Sequence, residues 1–417
     1  MSAIKPFKAL RPQAQLAKQV ASRPYDVLSS AEAKIEAQDN PNSFLHITKS
    51  EIDLSENTNA YSEEVYIKAK ENLNAFIKRN ILFREDKECY YIYRLVMPAS
   101  ASGTNEHSQT GLICISSIND YENGIIKKHE FTTPVKEQDR INHIKTTRAQ
   151  TGNVFLAYRN VDSLDAIIHK YTTAKNPVYD FTADDGISHT IWVINDTSII
   201  EQITQLFATD VPCTYVADGH HRAASAAKVW QASATSHSNG DYFLTTLFPA
   251  NQLQILDYNR VIKTLNGYTV SDFLQLLKDD FITEEIGKET YKPAKLHEFG
   301  LYIDRAWYKL TAKENTYTED PIGVLDITIL QKNILSKHLN IHDQRTDKNI
   351  DFVGGIRGLH ELEKRVNTGE MVMAFSLYPV SIEQLFSIAD SGNTMPPKST
   401  WFEPKLRDGL LTHLIYE

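Results

Sequence analysis

Hydrophobic positions along the chain follow two different spacings. Apolar residues recur every three or four positions in three segments, which predicts three helices: SSAEAKIEAQ, EEVYIKAKENLNAFIKRNIL and DTSIIEQITQLFAT. The expected N-cap is Ser29 or Ser30 for the first helix and Asp196 or Thr197 for the third. Aromatic and β-branched residues dominate five other segments and predict strands: ECYYIYRLVM, TGLICISSI, NVFLAY, HTIWVIN and CTYVA. This mixture indicates an α/β or α+β fold, and we expect α+β with a mixed sheet and packed helices.

The same alternation continues beyond residue 240. Strands are predicted at FLTTLF, LQILDYNRVI, LYIDRAWYKL and MVMAFSLYPV, and helices at VSDFLQLLKDDF, VLDITILQKNILSKHL and SIEQLFSIADSG. We divide the chain into an N-terminal α/β segment at 1–110, a core at 111–240 and a C-terminal α/β part at 241–417. No repeat or low-complexity segment interrupts this pattern.

Composition narrows the function classes. With 417 residues the chain is long enough for two or three domains. A net charge of -9 argues against general nucleic-acid binding, which needs a basic surface. The sequence contains no apolar run of membrane-spanning length, and its first residues do not resemble a signal peptide, so we expect a cytoplasmic protein without membrane contact. Cys89, Cys114 and Cys213 lie far apart and predict buried hydrophobic residues rather than disulfides or zinc ligands.

Candidate chemistry is densest at YVADGHHRAASAAK, residues 215–228. A buried strand ends at Asp218-Gly219 and a helix begins at about His220, so free backbone N–H groups at the helix start offer an anion site. The guanidinium of Arg222 suits a phosphate, and the imidazoles of His220 and His221 can donate or accept hydrogen bonds near neutral pH. An ordinary strand-to-helix turn explains the residues equally well. Adjacent histidines point in different directions on a helix, so we expect no metal there.

Two further stretches carry polar groups suited to chemistry. In KKHEFTTPVKEQDR, Glu130 is a candidate general base with His129 beside it, although a solvated charged helix face is the alternative. In MPPKSTWF, prolines precede Lys398, Ser399 and Thr400, whose ammonium and hydroxyl groups suit an anion or a carboxylate. A surface loop bounded by prolines is the alternative for that segment.

Together these motifs resemble known families. "VADGHHR" followed by alanines resembles the strand-turn-helix signature of the ParB/sulfiredoxin-like superfamily, and its Asp-Gly-His-His-Arg form is similar to that of the free serine kinases. "RPYDV", "NPNSFLH", "KKHEFT", "DRINHIKTTRA" and "MPPKSTWFEPK" resemble a bacterial domain-of-unknown-function family, numbered one thousand and fifteen, over nearly the whole chain. The likeness to the kinases begins at about residue 110. It implies a ParB/sulfiredoxin-like nucleotide-binding and catalytic core at 111–240, with an N-terminal α/β extension.

The resemblance also implies an activity and roles for individual residues. The chain would use ATP or ADP with Mg²⁺ to phosphorylate the hydroxyl of free serine or a similar amino acid. The residues carried over are Glu130, Asp218 and His220 for catalysis, His129, Gly219, His221 and Arg222 for nucleotide phosphates, and Lys398, Ser399 and Thr400 for the acceptor in the C-terminal part.

Several departures keep other functions open. Trp401-Phe402 replaces the Arg-His of the kinases, which puts the acceptor in doubt, and the N-terminal segment has no counterpart in them. His220 stands where sulfiredoxins need a cysteine, and the chain lacks the basic surface of ParB proteins. A non-catalytic nucleotide-binding regulatory protein of ParB-like fold is the alternative function, followed by a purely structural protein.

Overall fold

The computed structural model describes residues 1–99, 105–232 and 240–415. They form two units, Met1–Leu253 with Pro404–Glu417, and Gln254–Glu403. The predicted domain boundaries at residues 110 and 240 stay predictions. The structure adds that strands from the first two predicted segments share one sheet. The middle of the polar loop that joins two of these strands, 100–104, lies outside the described residues.

The first unit is built on a mixed sheet. Its strands up to residue 253 are β1 (Ile4–Lys5), β2 (Leu10–Pro12), β3 (Leu82–Arg84), β4 (Tyr90–Met97), β5 (His107–Ser117), β6 (Ile126–Lys127), β7 (Ala149–Gln150), β8 (Val154–Tyr158), β9 (Tyr179–Thr182), β10 (Ser188–Ile194), β11 (Thr214–Asp218) and β12 (Tyr242–Pro249). The main sheet has the order β6-β11-β8-β12-β5-β4-β10-β9, with β1 added along β5. β11 runs parallel to β6 and β12 parallel to β8, whereas the other neighbours are antiparallel. This confirms the expected mixed sheet.

Helices connect these strands. They are α1 (Ala17–Val20), α2 (Ser30–Glu36), α3 (Leu45–Thr48), α4 (Glu63–Lys78), α5 (Ile118–Glu122), α6 (Pro134–Thr147), α7 (Asp162–Ala174), α8 (Thr197–Asp210) and α9 (His220–Gln231), with 3-10 turns at Ala14–Leu16, Tyr25–Val27, Ser50–Asp53 and Ala250–Gln252. Two N-caps match the sequence prediction. Ser29 accepts from the Glu32 N–H within a capping box, and Asp196 accepts from the N–H groups of Ser198 and Ile199.

The core of this unit lies between the sheet and its helices. All five residues of β8 are buried, because helices cover this part of the sheet and leave little of it to water. Phe207 on α8 is fully buried and packs edge-to-face on Tyr158, with ring centroids 5.3 Å apart. The alanines of α9, from Ala223 to Ala227, are also buried, so a thin helix packs closely here and holds its first turn in place.

The second unit contains an antiparallel sheet of its own. Its strands are β13 (Gln254–Leu256), β14 (Tyr258–Ile262), β15 (Phe281–Gly287), β16 (Glu298–Ile303), β17 (Ala306–Ala312), β18 (Ile350–Gly354), β19 (Met373–Leu377) and β20 (Trp401–Glu403). The sheet order is β15-β17-β16-β19-β14-β18, and β13 pairs with β20. The helices are α10 (Val270–Leu277), α11 (Asp326–Leu330) followed by a π-helix (Gln331–Ser336), α12 (Leu359–Asn367) after a 3-10 turn (Gly355–Arg357), and α13 (Ile382–Asp390). The chain then returns to the first unit, where β21 (His413–Leu414) pairs with β7.

Several boundaries differ from the sequence prediction, and two of them lie at residues with positive φ angles. LYIDRAWYKL is a hairpin rather than one strand, because Asp304 and Arg305 adopt positive φ angles of 49° and 62° between β16 and β17. The helix predicted to reach Leu82 ends at Lys78, since Asn80 also has a positive φ and Leu82 begins β3. The α+β class and the mixed sheet are confirmed, and the ParB/sulfiredoxin-like core stays a prediction.

Truncation of Phe207 tests the core of the first unit. We expect Phe207→Ala to lower the free energy of unfolding by about 3–5 kcal/mol, because the cavity replaces a fully buried ring. Phe131→Ala is the matched control, since the Phe131 side chain is 69% exposed and its loss changes stability by less than about 0.5 kcal/mol. Urea unfolding measures both. Equal effects of the two substitutions would contradict the described core.

Candidate functional site

A tight turn joins β11 to α9 and carries most of the predicted site. Gly219 has a φ of +94°, which L-residues rarely adopt. An added Cβ there would lie 3.0 Å from Nε of Arg222. The glycine therefore satisfies two demands, a left-handed backbone and the close approach of a buried guanidinium. The helix begins at His220, as the sequence predicted.

The Arg222 guanidinium is the centre of a buried network. It is 7% exposed and donates to the carbonyl of Asn153 through Nη1. Its Nη2 lies 3.4 Å from Oδ2 of Asp26 and 3.6 Å from Oδ1 of Asp218. Burial disfavours its charge, but Asp26, Asp218 and Asp408 outweigh burial and raise its pKa. The Arg222 guanidinium, which was predicted to bind phosphate, is thus already paired with carboxylates.

Asp218 meets a second cation from the C-terminal segment. Nζ of Lys405 donates to its Oδ2 at 3.0 Å, and the side chain of Lys405 is 18% exposed. Burial would raise the pKa of Asp218, yet Lys405 and then Arg222 hold it well below its usual range. The carboxylate is therefore ionised and bound between two cations.

Asp408 is buried beside the same guanidinium. Its Oδ2 has no hydrogen-bond partner among the described residues. Burial raises its pKa to about 7, against an opposing effect of Arg222. Its backbone pairs with that of Ser22, so the C-terminal segment and the RPYDV segment meet at Arg222. Near neutral pH this carboxyl exists in both protonation states.

His129 and Glu130 approach the first residue of α9. The backbone N–H of His129 donates to Nε2 of His220 at 3.5 Å, and the two rings pack edge-to-face with centroids 4.5 Å apart. Nδ1 of His220 therefore carries the proton and lies 3.9 Å from Oε2 of Glu130. Burial, and then His129, lower the pKa of His220 well below its usual value. A neutral imidazole thus faces the Glu130 carboxylate, whose side chain is 37% exposed.

His221 has a different environment. Its Nε2 accepts from the backbone N–H of Thr133 at 3.0 Å, and the Thr133 hydroxyl lies 3.2 Å away. The contact ties the segment before α6 to the start of α9.

Glu137, Asp139 and Arg140 of α6 are buried, whereas Lys136 and Lys145 are exposed. Arg140 donates to Asp139 and lies over the Tyr25 ring, 3.9 Å from its centroid. The interpretation as a solvated helix face therefore holds for only one side of this helix. A cavity of about 300 Å³ lies there, bordered by Asp26, Tyr61 and Lys136 as well as by Tyr25 and Arg140. This volume is at the lower end of the range for small-molecule sites.

The predicted acceptor residues belong to the second unit. Lys398 has a φ of +58°, and the hydroxyl of Ser399 donates to the carbonyl of Pro396 at 2.5 Å. The fully buried Arg260 donates to the carbonyls of Pro397 and Lys398 at 3.3 Å and 3.0 Å. Arg260 therefore holds the backbone of the loop at Pro397 and Lys398 in place. Thr400, the last predicted residue, is half-buried.

The structure brings the seven predicted residues of the first unit to one turn, and their functional roles stay predictions. The neighbours that sequence analysis did not assign are Asp26, Asn153, Lys405 and Asp408. Two of them stand in quoted motifs, Asp26 in RPYDV and Lys405 in the final "EPK". The sequence shows that both residues are charged. It does not show that they meet, because that depends on pairing between distant segments, which local patterns cannot predict.

The Asp218 carboxylate does not suit a bound magnesium ion. The two oxygens of Asp218 face Lys405 and Arg222, so a divalent cation there would meet two positive charges at short range. Magnesium sites use carboxylate and water oxygens together with substrate phosphates.

Comparison with protein families identifies the chain. Residues 4–328 match the family described as protein of unknown function, DUF1015, and the chain belongs to this family. Comparison with curated proteins finds no match. None of the helices in the described parts of the chain has the length and apolar character needed to cross a bilayer.

Several solved structures are similar at low identity. A conserved hypothetical protein from Pyrococcus furiosus has 14% identity and a TM-score of 0.36, covering 72% of this chain and 94% of that one. A free serine kinase in complex with AMP has 11% identity and a TM-score of 0.37, covering 73% and 91%. SbnI from Staphylococcus aureus, with a C-terminal truncation, has 10% identity and a TM-score of 0.39, covering 72% and 87%. At these TM-scores the likeness carries no argument about function.

The protonation of Asp408 predicts a pH dependence of stability. Its folded pKa of about 7 exceeds the unfolded value of about 3.9, so between these values the folded state binds more protons. Its contribution to the free energy of unfolding therefore falls as pH rises from about 4 to about 7, by up to about 4 kcal/mol. Asp408→Asn removes this term.

We expect the stability of the wild type relative to Asp408→Asn to decrease between pH 5 and pH 8, measured by urea unfolding at each pH. Asp184→Asn serves as the control, because that side chain is 98% exposed. A wild-type advantage that grows with pH would contradict the assignment.

Proposed function

We propose that the protein is a nucleotide-dependent small-molecule kinase that phosphorylates the hydroxyl of free serine or a similar amino acid. The observation that carries this proposal is the Glu130 carboxylate, partly exposed and facing a neutral His220 at the start of α9. A carboxylate in this position suits proton abstraction from a substrate hydroxyl. The motif resemblance to the free serine kinases supplies the reaction type.

In this mechanism Glu130 accepts the proton of the acceptor hydroxyl. The acceptor oxygen then forms a bond to the terminal phosphorus of ATP or ADP, while the bond from that phosphorus to the bridging oxygen breaks. The nucleotide leaves with one phosphate fewer, and the acceptor becomes a phosphate ester. Nδ1 of His220 lies 3.9 Å from Oε2 of Glu130, too far for a hydrogen bond, so its part in the mechanism is to border the carboxylate.

Phosphate binding falls to groups at the helix start. The N–H groups of the first turn of α9 point towards an incoming anion. Lys405 is the partly exposed cation of the cluster and can leave Asp218 to contact a phosphate. Arg222 acts as a positioning residue, because its buried guanidinium holds Asp26 and Asp218 in place. Phosphoryl transfer depends mainly on such positioning and charge.

Lys398, Ser399 and Thr400 complete the proposal as the acceptor-binding residues. The exposed ammonium of Lys398 suits a carboxylate, and the carbonyl contacts of Arg260 give its loop one defined conformation. Trp401 stands where the free serine kinases have arginine, so the proposed acceptor is either serine or a similar amino acid with a hydroxyl group. A preformed loop binds with a smaller loss of conformational entropy.

Removal of the Glu130 charge tests the kinase proposal. With ATP or ADP, Mg²⁺ in the buffer and free L-serine, phosphorus NMR should detect O-phosphoserine, and Glu130→Gln should slow its formation by about 100- to 10,000-fold. Glu122→Gln is the matched control, because Glu122 is exposed and lies on α5, outside the cluster. Full activity of Glu130→Gln would overturn this role.

A non-catalytic nucleotide-binding protein is the second candidate. The observation that favours it is the 300 Å³ cavity, whose lining includes Tyr61 and Lys136, whereas His129, Glu130 and His220 are not among its described lining residues. Aromatic rings suit a nucleobase and the lysine suits a phosphate. A nucleotide bound there would need no general base.

This alternative predicts binding without turnover. Under it, AMP or ADP binds to the wild type in calorimetry, Lys136→Ala raises Kd by about 10-fold through loss of one charge-assisted contact, and no O-phosphoserine forms. Lys145→Ala is the control, since Lys145 is exposed on the same helix but does not border the cavity. Equal Kd values for the two variants would exclude the cavity as the nucleotide site.

A further inference from the structure

Two chain segments bring three metal-binding side chains together at the candidate site. His129 and Glu130 follow β6, and His220 begins α9. One donor atom from each of the three lies within 4.8 Å of the others. The sequence prediction considered only the adjacent pair His220 and His221 and expected no metal, so it did not consider this combination.

His129 adds a second observation. Its side chain is 1% exposed, and neither ring nitrogen forms a hydrogen bond of normal geometry with a described residue, although the backbone of Val216 is near enough to interact with one of them. Buried polar nitrogens nearly always have a partner, and an exception calls for an explanation. A bound metal ion would provide the missing partner for one of these nitrogens.

The donor set selects the class of ion. Two imidazoles and one carboxylate suit zinc and other divalent transition metals, whereas magnesium and calcium prefer oxygen ligands. We propose that His129, Glu130 and His220 form a binding site for a divalent transition-metal ion such as Zn²⁺. This site is separate from the Asp218 carboxylate, which two cations already occupy.

Moderate movement would complete the site. Donor atoms around a tetrahedral zinc ion lie about 3.3–3.6 Å apart, given bond lengths of about 2.0–2.2 Å, so separations of up to 4.8 Å have to contract by up to about 1.5 Å. Glu130 is the movable ligand, since its side chain is 37% exposed. If Nδ1 of His220 binds the metal, the ring proton moves through solvent to Nε2, which can then no longer accept the hydrogen bond from the His129 N–H. At 3.5 Å that bond is long and therefore weak.

Metal binding has a consequence that rests on the proposed function. A metal-bound Glu130 no longer has its lone pair available to accept the acceptor proton. Zinc should therefore inhibit phosphoryl transfer over the same concentration range in which it binds. This makes the cluster a site at which a transition metal regulates the enzyme.

Cobalt titration of the full chain tests the site independently of activity. After treatment with a chelator and dialysis, the wild type should bind one Co²⁺ with visible d–d absorption, and Zn²⁺ should displace it. His129→Asn and His220→Asn should each raise Kd by more than about 10-fold. His169→Asn is the matched control and should bind as the wild type does, because His169 is exposed on α7.

Circular dichroism checks the fold of each variant. Glu130→Gln provides a third variant in case a buried histidine substitution disturbs folding, and it should also raise Kd. No Co²⁺ absorption in the wild type, or unchanged binding in folded His129→Asn and Glu130→Gln, would overturn the proposal. Cobalt binding without any kinase activity would leave the metal site standing and count against the proposed function alone.

Discussion

The candidate site depends on one buried positive charge. The guanidinium of Arg222 contacts Asp26, Asp218 and the carbonyl of Asn153, and Asp408 lies beside it. Three distant parts of the chain, at Asp26, Asn153 and Asp408, therefore converge on one side chain. Removal of one partner from a buried ion network leaves an uncompensated charge and is strongly destabilising. The network therefore holds the first turn of α9 in position.

In this arrangement, the residues that hold the turn in place differ from those that we propose to take part in chemistry. Arg222 and Asp218 are neutralised by each other and by Lys405, which makes them a poor open cradle for phosphate. Glu130 and His220 lie at the same helix start, but the imidazole is neutral and the carboxylate is partly exposed. A proton acceptor and part of a transition-metal site are the two roles that we propose for this pair. A carboxylate bound to a metal cannot also accept a proton with the same lone pair, so under these proposals metal binding would inhibit the transfer.

Local patterns predicted the strands β4, β5, β8, β10, β11 and β12 and the capped helices α2 and α8, and Asp218-Gly219 marked the turn. Shorter strands such as β2 and β6, and the helices α7 and α12, were not predicted. The hairpin at Asp304-Arg305 was missed because its turn lacks the usual glycine or asparagine. Asp26, Asn153 and Asp408 were missed for another reason. Their contacts join residues far apart in sequence, and spacing within a segment contains no information about such pairs.

The protonation state and contacts of His220 test the central claim most directly. In a sample labelled with ¹⁵N-histidine, NMR should find His220 neutral with its proton on Nδ1, and its signals should shift when nucleotide and serine are added. The signals of His169 and His342 should stay unchanged. A His220 that titrates near its usual pKa, or that does not respond to saturating nucleotide and serine, would contradict a substrate site at the start of α9.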